Sequence, residues 1–221
     1  MSLKIDCISD THNKHKQIKL PGGDILIHAG DATGRGHSGE IIPFLNWFAE
    51  QPYSHKVFTP GNHDFGFEKE PARYEQECKD RGIILLNDSG IEVDGVKIWG
   101  SGITPWFFDW AYNRQRGPEI KRHWDLIPED TEILVTHGPV QGILDYVPRG
   151  ENVGCKDLLD KVLQTKIKLH ICGHIHYSKG HKYIDGRTFV NAASLSEQYQ
   201  VVSSPITRVA KDDLGDYIVV E

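Results

Sequence analysis

The sequence predicts an α/β fold in which both parallel and antiparallel strands occur. Residues 24–28 and 56–59 are short apolar runs typical of buried strands, and residues 39–50 between them carry apolar side chains at helical spacing. A strand, a helix and a second strand in this order indicate a right-handed parallel crossover. Residues 90–100 are instead typical of a hairpin with Asp-Gly at its turn, so antiparallel pairing is expected to begin there.

Length and composition favour one compact domain. The chain has 221 residues, of which 38% are hydrophobic and 25% are charged, and these proportions suffice for one sizeable core. No repeat, low-complexity tract or Gly/Ser linker divides the sequence, so a single domain over residues 1–221 is predicted. The cysteines have no C-x-x-C spacing and are expected to be small core residues: Cys7, Cys78, Cys155 and Cys172.

The overall charge argues against a polyanionic partner. The formal net charge is -6, which disfavours stable binding of duplex nucleic acid or of an acidic membrane surface. A charge interrupts the N-terminal residues before an apolar signal region can form, and no stretch of about 18 uncharged apolar residues occurs. We therefore expect a cytoplasmic protein whose partner is a small molecule.

The other elements follow from apolar runs and from helical spacing. Further strands are predicted at 3–9, 83–86, 131–136, 167–172, 181–184, 188–190 and 216–220. Further helices are predicted at 68–81, before Gly82, and at 155–164. Residues 101–127 contain three of the five tryptophans but little periodicity, so a capping loop with a short helix over 119–124 is expected there.

Five predicted strands end in side chains that can bind a metal ion. These are Asp10 and His12, Asp31, Asn62, His137, and His174 and His176. In open α/β sheets ligands collect outside the carboxyl ends of the strands, so these side chains are expected to meet in one crevice. The set contains no thiolate and fits Mn, Fe, Zn, Co or Ni better than Ca, with Mn expected to serve in vitro. Seven ligands exceed the needs of one catalytic ion, so two divalent ions that share a carboxylate and a solvent hydroxide are predicted.

A simpler interpretation applies to each residue alone. The Asn62-His63-Asp64 turn taken by itself is as consistent with a solvated loop as with a site. A histidine inside an apolar run is more often a core residue than a ligand, which is the interpretation preferred for His28, His55 and His170. Loop or solvent positions are expected for His15, His37 and His181. The coincidence of ligand type with strand end at five places favours the site.

Five blocks of sequence, in order, resemble the signature of the calcineurin-like metallophosphoesterase superfamily. They are Asp10-x-His12, Gly30-Asp31, Gly61-Asn62-His63-Asp64, His137 and Gly173-His174-Ile175-His176. Motifs such as Thr136-His137-Gly138-Pro139 are similar to the small single-domain group that includes the animal metallophosphoesterase-domain-containing brain proteins. This similarity spans residues 5–195 and leaves the C-terminal tail uncovered.

The resemblance implies a four-layer αββα sandwich in which helices flank two mixed sheets. It assigns Asp10, His12, Asp31 and His176 to one metal ion, and it assigns Asp31 as a bridge, Asn62, His137 and His174 to the other. His63 would be the proton donor and Asp64 its orienting partner. Some of the brain-protein relatives have Gly in place of His174, so the histidine here implies two competent metal sites.

The chemistry of such a centre predicts phosphoester hydrolysis. Two divalent ions and two aspartate carboxylates together carry a net positive charge, which attracts phosphate. The ions also lower the pKa of a bridging water molecule, so that it can attack phosphorus in line as hydroxide. A dinuclear phosphoesterase is therefore expected, with a nucleotide-type phosphodiester preferred as substrate. The alternatives are a nucleotide-binding regulatory protein with little turnover and a metal-dependent nuclease.

Two groups of side chains outside the blocks are candidates for substrate binding. The guanidinium groups of Arg114, Arg116 and Arg149 suit phosphate oxygens, although surface solvation is the preferred interpretation for each. The aromatic run 106–108, with Trp110 and Tyr112 nearby, would suit stacking of a nucleobase. Core filling is the preferred interpretation for most of that run.

Overall fold

Two six-stranded sheets form the centre of the computed structural model, which describes residues 3–220. The strands in the first part of the chain are β1 (Lys4–Ile8), β2 (Gly23–His28), β3 (Tyr53–Phe58), β4 (Ile84–Leu85), β5 (Ser89–Val93), β6 (Val96–Ser101), β7 (Thr104–Pro105) and β8 (Asn113–Arg114). Those in the second part are β9 (Ile133–Thr136), β10 (Tyr146–Val147), β11 (Glu151–Asn152), β12 (Leu169–Cys172), β13 (Gly180–Ile184), β14 (Arg187–Asn191), β15 (Thr207–Lys211) and β16 (Tyr217–Val220). The α-helices are α1 (Ser38–Ala49), α2 (Phe65–Lys69), α3 (Pro71–Lys79), α4 (Pro118–Trp124) and α5 (Lys156–Gln164).

Both sheets combine a parallel centre with antiparallel pairing at an edge. The first sheet has the order β16-β15-β1-β2-β3-β4, in which β1 to β4 are parallel and β15 pairs antiparallel with both β1 and β16. The second has the order β13-β14-β12-β9-β6-β5, with β13 and β5 as its antiparallel edges. The pairs β7-β8 and β10-β11 stand apart as short ribbons.

The sheets pack face to face, and helices cover their outer faces. Cys7 and Ile27 of the first sheet belong to one buried cluster with Ile133 and Ile171 of the second. The intervening residues point the other way because side chains alternate along a strand, and Leu26 lies in a second cluster with residues of the helices. The predicted mixed α/β class with two flanked sheets is therefore confirmed.

The apolar residues whose spacing predicted helix α1 form its buried face. Ile41, Phe44, Leu45 and Phe48 fall on one face of the helix and are fully buried. At its start, the Glu40 side chain accepts a hydrogen bond from the His37 backbone in a capping-box arrangement. The observed helix differs from the predicted range by one residue at each end.

Several elements differ from the sequence expectation, including the short strands β7, β8, β10 and β11, which were not predicted. The helix expected over 68–81 is divided into α2 and α3, because Pro71 lacks a backbone N–H and begins a new helix. The strand expected over 83–86 is reduced to β4. Strand β15 was not predicted, although it pairs along β1 with Lys4 opposite Ala210.

The cysteines and three of the seven histidines outside the predicted site are core residues. The cysteines are free and buried, as expected. His28 and His170 are also buried, whereas His55 is half-buried and lies 3.1 Å from the Asp94 carboxylate. The solvent position expected for His15 is wrong, because its ring is buried against Phe44 and Trp47. Within residues 3–220, no helix has the length and apolar character needed to cross a bilayer.

Candidate metal centre

The carboxyl ends of strands from both sheets bring the predicted ligands together. Asp10 and His12 follow β1, Asp31 follows β2 and Asn62 follows β3, while His137 follows β9 and the two last histidines follow β12. Three groups form, with donor atoms within 4.8 Å of one another in each: Asp10, His12 and His176; His12, Asp31 and His63; Asp31, His137 and His174. Metal binding by these side chains stays a prediction, but all seven converge on one place.

Asp31 lies at the junction of these groups. Its Oδ2 atom is 3.2 Å from His137 Nε2 and 3.9 Å from His12 Nε2. On one side His137 Nε2 is also 2.9 Å from Asn62 Oδ1, and on the other His176 Nε2 is 3.3 Å from Asp10 Oδ1. One carboxylate therefore joins two sets of donors, which is the arrangement that a bridging ligand requires.

Backbone carbonyl groups hold three of the imidazole rings in a ligating orientation. The Nδ1 atoms of His12, His137 and His176 lie 3.1, 2.9 and 2.9 Å from the carbonyl oxygens of Thr33, Ala29 and Ser196. When Nδ1–H donates to a carbonyl, Nε2 keeps its lone pair for a metal ion. His12 Nε2 is buried and has no hydrogen-bond partner among the described residues, which fits a metal ligand.

The backbone at the strand ends adopts a left-handed conformation that is rare for residues with a side chain. The φ angles of Asp10, His12, Asp31 and His174 are 54°, 37°, 56° and 67°. Hydrogen bonds hold this conformation, including Asp10 N–H to the Gly30 carbonyl at 2.9 Å. Such local strain is concentrated at functional sites, where it directs side chains that regular strand geometry would point elsewhere.

Two glycines of the sequence blocks leave room for the aspartates. A Cβ atom on Gly61 would lie 2.3 Å from Asp31 Oδ1, and one on Gly173 would lie 2.2 Å from Asp10 Oδ2. These distances are far below van der Waals contact, so any side chain at either position would displace a carboxylate. Both glycines are therefore required by the packing of the candidate site.

The electrostatics of the site couple each aspartate to a histidine. Burial by itself would raise the pKa of Asp31, but the adjoining His137 lowers it well below its usual range. Burial would likewise lower the pKa of His137, yet Asp31 raises it to about 9. Asp10 and His176 form a second pair of the same kind, with a raised His176 pKa of about 9. Metal binding at neutral pH would therefore release protons from these imidazoles.

His63 lies beside the ligand groups and faces the cavity. Its backbone N–H donates to Asp31 Oδ1 at 2.8 Å, and its Nδ1 is 2.8 Å from the Gly34 carbonyl oxygen. Its ring is stacked near the indole of Trp110. The ring is thus oriented with Nε2 towards the cavity, on the same side as Asp31 Oδ2 at 3.9 Å.

Asp64 has a different role from the one expected. Its buried carboxylate accepts hydrogen bonds from Thr33 N–H, from Thr33 Oγ1 at 2.7 Å and from Gly61 N–H at 2.8 Å. It therefore ties together the loops after β2 and β3, while the Gly34 carbonyl is the ring partner of His63. Burial and the charge of Asp31 raise the pKa of Asp64 to about 6.

Two adjoining cavities open at the candidate site. The metal cavity, of about 280 Å³, is lined by His63 and by all the predicted ligands except Asp10 and His137, together with Phe107, Trp110, Val147, Ile175, Glu197 and Tyr199. The aromatic cavity, of about 500 Å³, shares Phe107, Val147, His174 and Ile175 with it and is also lined by Trp106 and Phe108. The aromatic segment predicted as a capping loop therefore forms the wall between the two cavities.

The three candidate arginines are placed differently. Arg116 and Arg149 line the aromatic cavity, where Arg116 donates to the Gly154 and Val153 carbonyls and Arg149 pairs with Glu151 at 2.8 Å. Arg114 lines neither cavity and pairs with Glu68 at 3.3 Å. The structure thus places Arg114 in an ion pair outside both cavities, away from the position of a substrate-binding residue.

Glu197 and Tyr199 line the metal cavity but were not found from the sequence. They lie in an irregular polar turn beyond the last sequence block, where no periodicity or motif marks them. Contacts of the Ser196 carbonyl with His176 and of the Tyr199 ring with His12 hold that turn at the site. A polar turn soon after a ligand block was the sole available signal.

Comparison with known proteins gives one consistent result. The family model described as calcineurin-like phosphoesterase matches residues 3–178. The chain is 38% identical to human metallophosphoesterase domain-containing protein 1, over 90% of this chain and 68% of the human protein. It is 35% identical to the Caenorhabditis elegans UPF0046 protein K07C11.7, over 92% of this chain and 74% of the worm protein. The structure of phosphopantetheinyl hydrolase from Mycobacterium tuberculosis superposes with a TM-score of 0.63 at 16% identity, covering 96% of this chain and 97% of that one. These matches confirm the resemblance that the five sequence blocks carry.

Proposed function

Because the chain belongs to the calcineurin-like phosphoesterase family, we propose that it is a dinuclear metal-dependent hydrolase of phosphodiesters, with nucleotide-type compounds as substrates. The observation that carries the proposal is the position of Asp31, whose carboxylate joins two sets of His, Asp and Asn donors. The seven predicted ligands also exceed what one catalytic ion with an open position needs. Small phosphoesters, and not duplex nucleic acid, are the proposed partners, and a cytoplasmic location stays a prediction from the sequence.

The donor sets fit two borderline divalent ions. Asp10, His12 and His176 would hold one ion, Asn62, His137 and His174 would hold the other, and Asp31 would contact both. When bound, such ions supply Lewis acidity and an activated water for hydrolysis. The mixed imidazole and carboxylate donors favour Mn, Fe, Zn, Co or Ni, and Mn is the ion we would use in vitro.

We assign the proton transfer to His63. Its Nε2 faces the metal cavity while its Nδ1 is held by the Gly34 carbonyl, so the ring is fixed with one nitrogen directed at bound substrate. A leaving oxygen of the ester needs a proton as the bond to phosphorus breaks, and a positioned imidazole provides it. Asp64 contributes indirectly, since it ties the loop that carries His63 to the loop after β2.

The aromatic cavity supports a substrate with an organic group on each side of the phosphate. It shares a wall with the metal cavity and is lined by Trp106, Phe107 and Phe108. A volume of about 500 Å³ is within the range of small-molecule sites and would admit a nucleoside. Exposed aromatic rings favour a flat ring system such as a nucleobase, which can stack on them.

A panel of substrates tests the proposal. Purified protein loaded with Mn²⁺ would be assayed on bis-4-nitrophenyl phosphate, 4-nitrophenyl phosphate, cyclic nucleotides and single-stranded DNA. Turnover of the small diesters is expected, and Asp31→Asn is expected to abolish it together with metal binding. No turnover from protein that retains two ions would contradict hydrolysis and favour the nucleotide-binding alternative, whereas a strong preference for DNA would favour a nuclease.

A further inference from the structure

A tight turn beyond the last ligand block forms one wall of the metal cavity. In this turn, residues 196–200, the Ser196 N–H donates to the Gln200 carbonyl at 2.8 Å, and the flanking residues Leu195 and Val201 form an antiparallel bridge. The Ser196 carbonyl oxygen is 2.9 Å from His176 Nδ1, and the Lys14 ammonium donates to the Tyr199 carbonyl. The turn is thus fastened both to a predicted ligand and to the loop after β1.

Tyr199 packs the turn directly against the ligand histidines. Its ring centroid lies 4.8 Å from that of His12 and 5.6 Å from that of His176, in edge-to-face arrangements. Its φ angle of 56° is unusual for an aromatic residue, which shows that surrounding contacts determine its conformation. This packing keeps the neighbouring Glu197 at the cavity.

The charges around the metal cavity are asymmetric. Among the described residues that line it, Glu197 is the one charged side chain outside the predicted ligands and His63, and no Lys or Arg lines it. Arg116 and Arg149 line the aromatic cavity instead. Glu197 forms no ion pair within residues 3–220, so its carboxylate is not neutralised by a neighbouring cation there. Lys14, although close to the turn, does not line the cavity.

We propose that Glu197 is a specificity-determining residue that favours singly charged phosphodiesters over doubly charged phosphomonoesters. The proposal rests on the proposed phosphodiesterase function. A phosphomonoester is mostly a dianion above its second pKa of about 6, whereas a diester carries a single charge. Repulsion by a fixed carboxylate grows in proportion to the charge of the ligand. Because no Lys or Arg among the described lining residues offsets it, the Glu197 carboxylate penalises a dianion more than a monoanion.

The expected size of the effect follows from Coulomb's law. At a separation of several ångströms in a partly hydrated site, one carboxylate weakens binding of an anion by roughly threefold per unit charge. Replacing Glu197 with Gln would then strengthen binding of a dianion about ninefold and of a monoanion about threefold. The ratio of the dianion Kd to the monoanion Kd should therefore change about threefold in Glu197→Gln. This ratio does not depend on the amount of active protein in the sample.

Equilibrium binding separates this effect from turnover. Manganese-loaded wild-type, Glu197→Gln and Glu92→Gln proteins would be titrated calorimetrically at pH 8 with inorganic phosphate and with dimethyl phosphate. Glu92 is an exposed carboxylate on β5 that lines neither cavity, which makes it a matched control. The Kd for inorganic phosphate should fall more than the Kd for dimethyl phosphate in Glu197→Gln only. Equal changes for both ligands, or the same shift in Glu92→Gln, would overturn the proposal.

Kinetics and salt provide the second measurement. The ratio of kcat/KM for 4-nitrophenyl phosphate to that for bis-4-nitrophenyl phosphate should rise about threefold in Glu197→Gln at low salt. The rise should shrink at about 0.5 M salt, because exposed charges are screened. A salt-independent ratio would overturn the role of charge. If wild-type protein hydrolysed neither ester while phosphate binding still responded to Glu197→Gln, the proposed function would fail and the assignment of Glu197 would stand.

Discussion

The indole of Trp110 lies against the imidazole of His63, with ring centroids 4.3 Å apart and an angle of 34° between the planes. The Arg35 guanidinium lies over the Trp110 indole, 5.3 Å from the ring centroid. His63 is therefore restrained by a carbonyl at its edge and by an aromatic surface on its face. Trp110 is a positioning residue for the proposed proton donor, a role that the sequence analysis did not predict for it.

Removing the Trp110 side chain should lower kcat more than it raises KM. Trp110→Ala would free the His63 ring, and small displacements of a reacting group cost about 10- to 100-fold in rate. Trp110→Phe retains a flat surface and should restore most of the activity. Steady-state kinetics on a diester with a poor leaving group would measure both values. Equal losses for esters with good and poor leaving groups would argue against an action through His63.

His63→Ala should reduce the rate by about 10² to 10⁴ while both metal ions remain bound. The loss should be largest for esters whose leaving oxygen is strongly basic, since these depend most on protonation. Rates for a series of aryl and alkyl diesters, with metal content from elemental analysis, would test this. Loss of the metal ions, or full activity on an alkyl diester, would show that the assigned role is wrong.

His174→Ala should reduce the metal content from about two ions per chain to about one. His174 belongs to the group with Asp31 and His137, and burial lowers its pKa to about 3, so the ring is in the neutral form that ligates metals. Elemental analysis after manganese loading and dialysis would give the stoichiometry. His181→Ala, which alters an exposed residue of β13, is the control. Retention of two ions by the His174 variant would remove that residue from the ligand set.

Gly61→Ala should damage the candidate site without unfolding the protein. The added Cβ atom would lie 2.3 Å from Asp31 Oδ1 and 2.7 Å from His137 Cε1, so at least one of these side chains must move. We expect a stability loss of about 1–3 kcal/mol and weaker metal binding. Gly39→Ala is the matched control, since a Cβ there has no neighbour within 4 Å. Unchanged metal affinity in Gly61→Ala would contradict the described packing.

The stability of the protein should fall as the pH is lowered, in part through His170. Burial lowers the pKa of this histidine from 6.5 to about 3, and its Nε2 is 2.8 Å from Thr136 Oγ1. Between these values the unfolded chain binds the proton and the folded chain does not. The contribution of His170 to the free energy of unfolding is therefore complete above pH 6.5. It is lost as the pH falls towards 3, at about 1.4 kcal/mol per pH unit.

Urea unfolding at several pH values would measure this contribution. The free energy of unfolding of His170→Gln should depend less steeply on pH between 6 and 4 than that of the wild type. The slope of the unfolding free energy against pH should differ between the two proteins by the amount that corresponds to about one proton taken up on unfolding. Parallel curves for the two proteins would show that His170 does not remain neutral in the folded state.

Much of the site was predictable because its information is local. Asp10, Asp31 and His137 each follow an apolar run directly, and parallel strands direct their carboxyl ends to one edge. Local sequence and sheet topology together were therefore sufficient to collect the predicted ligands.

Other features depend on contacts between distant segments and were not predictable. Glu197 reaches the metal cavity through a turn that lies two strands beyond the last block and contacts His176 through the Ser196 carbonyl. Arg114 is turned away from the site by Glu68, which lies on α2. Strand β15 is a short run of mixed polarity whose partner, β1, lies at the opposite end of the chain. Each case is decided by tertiary structure, which has no signal in a single sequence window.

The pairing of β15 with β1 also affects how the protein is made. Synthesis proceeds from the N-terminus, so β1 leaves the ribosome long before residues 207–211 exist. All seven proposed ligands precede β15, and a nascent chain would possess its metal-binding residues while β1 still offers an open backbone edge. Such edges recruit other chains. Truncated translation products that stop before β15 should therefore aggregate. During complete synthesis, chaperones would have to cover the exposed edge of β1 until translation is finished.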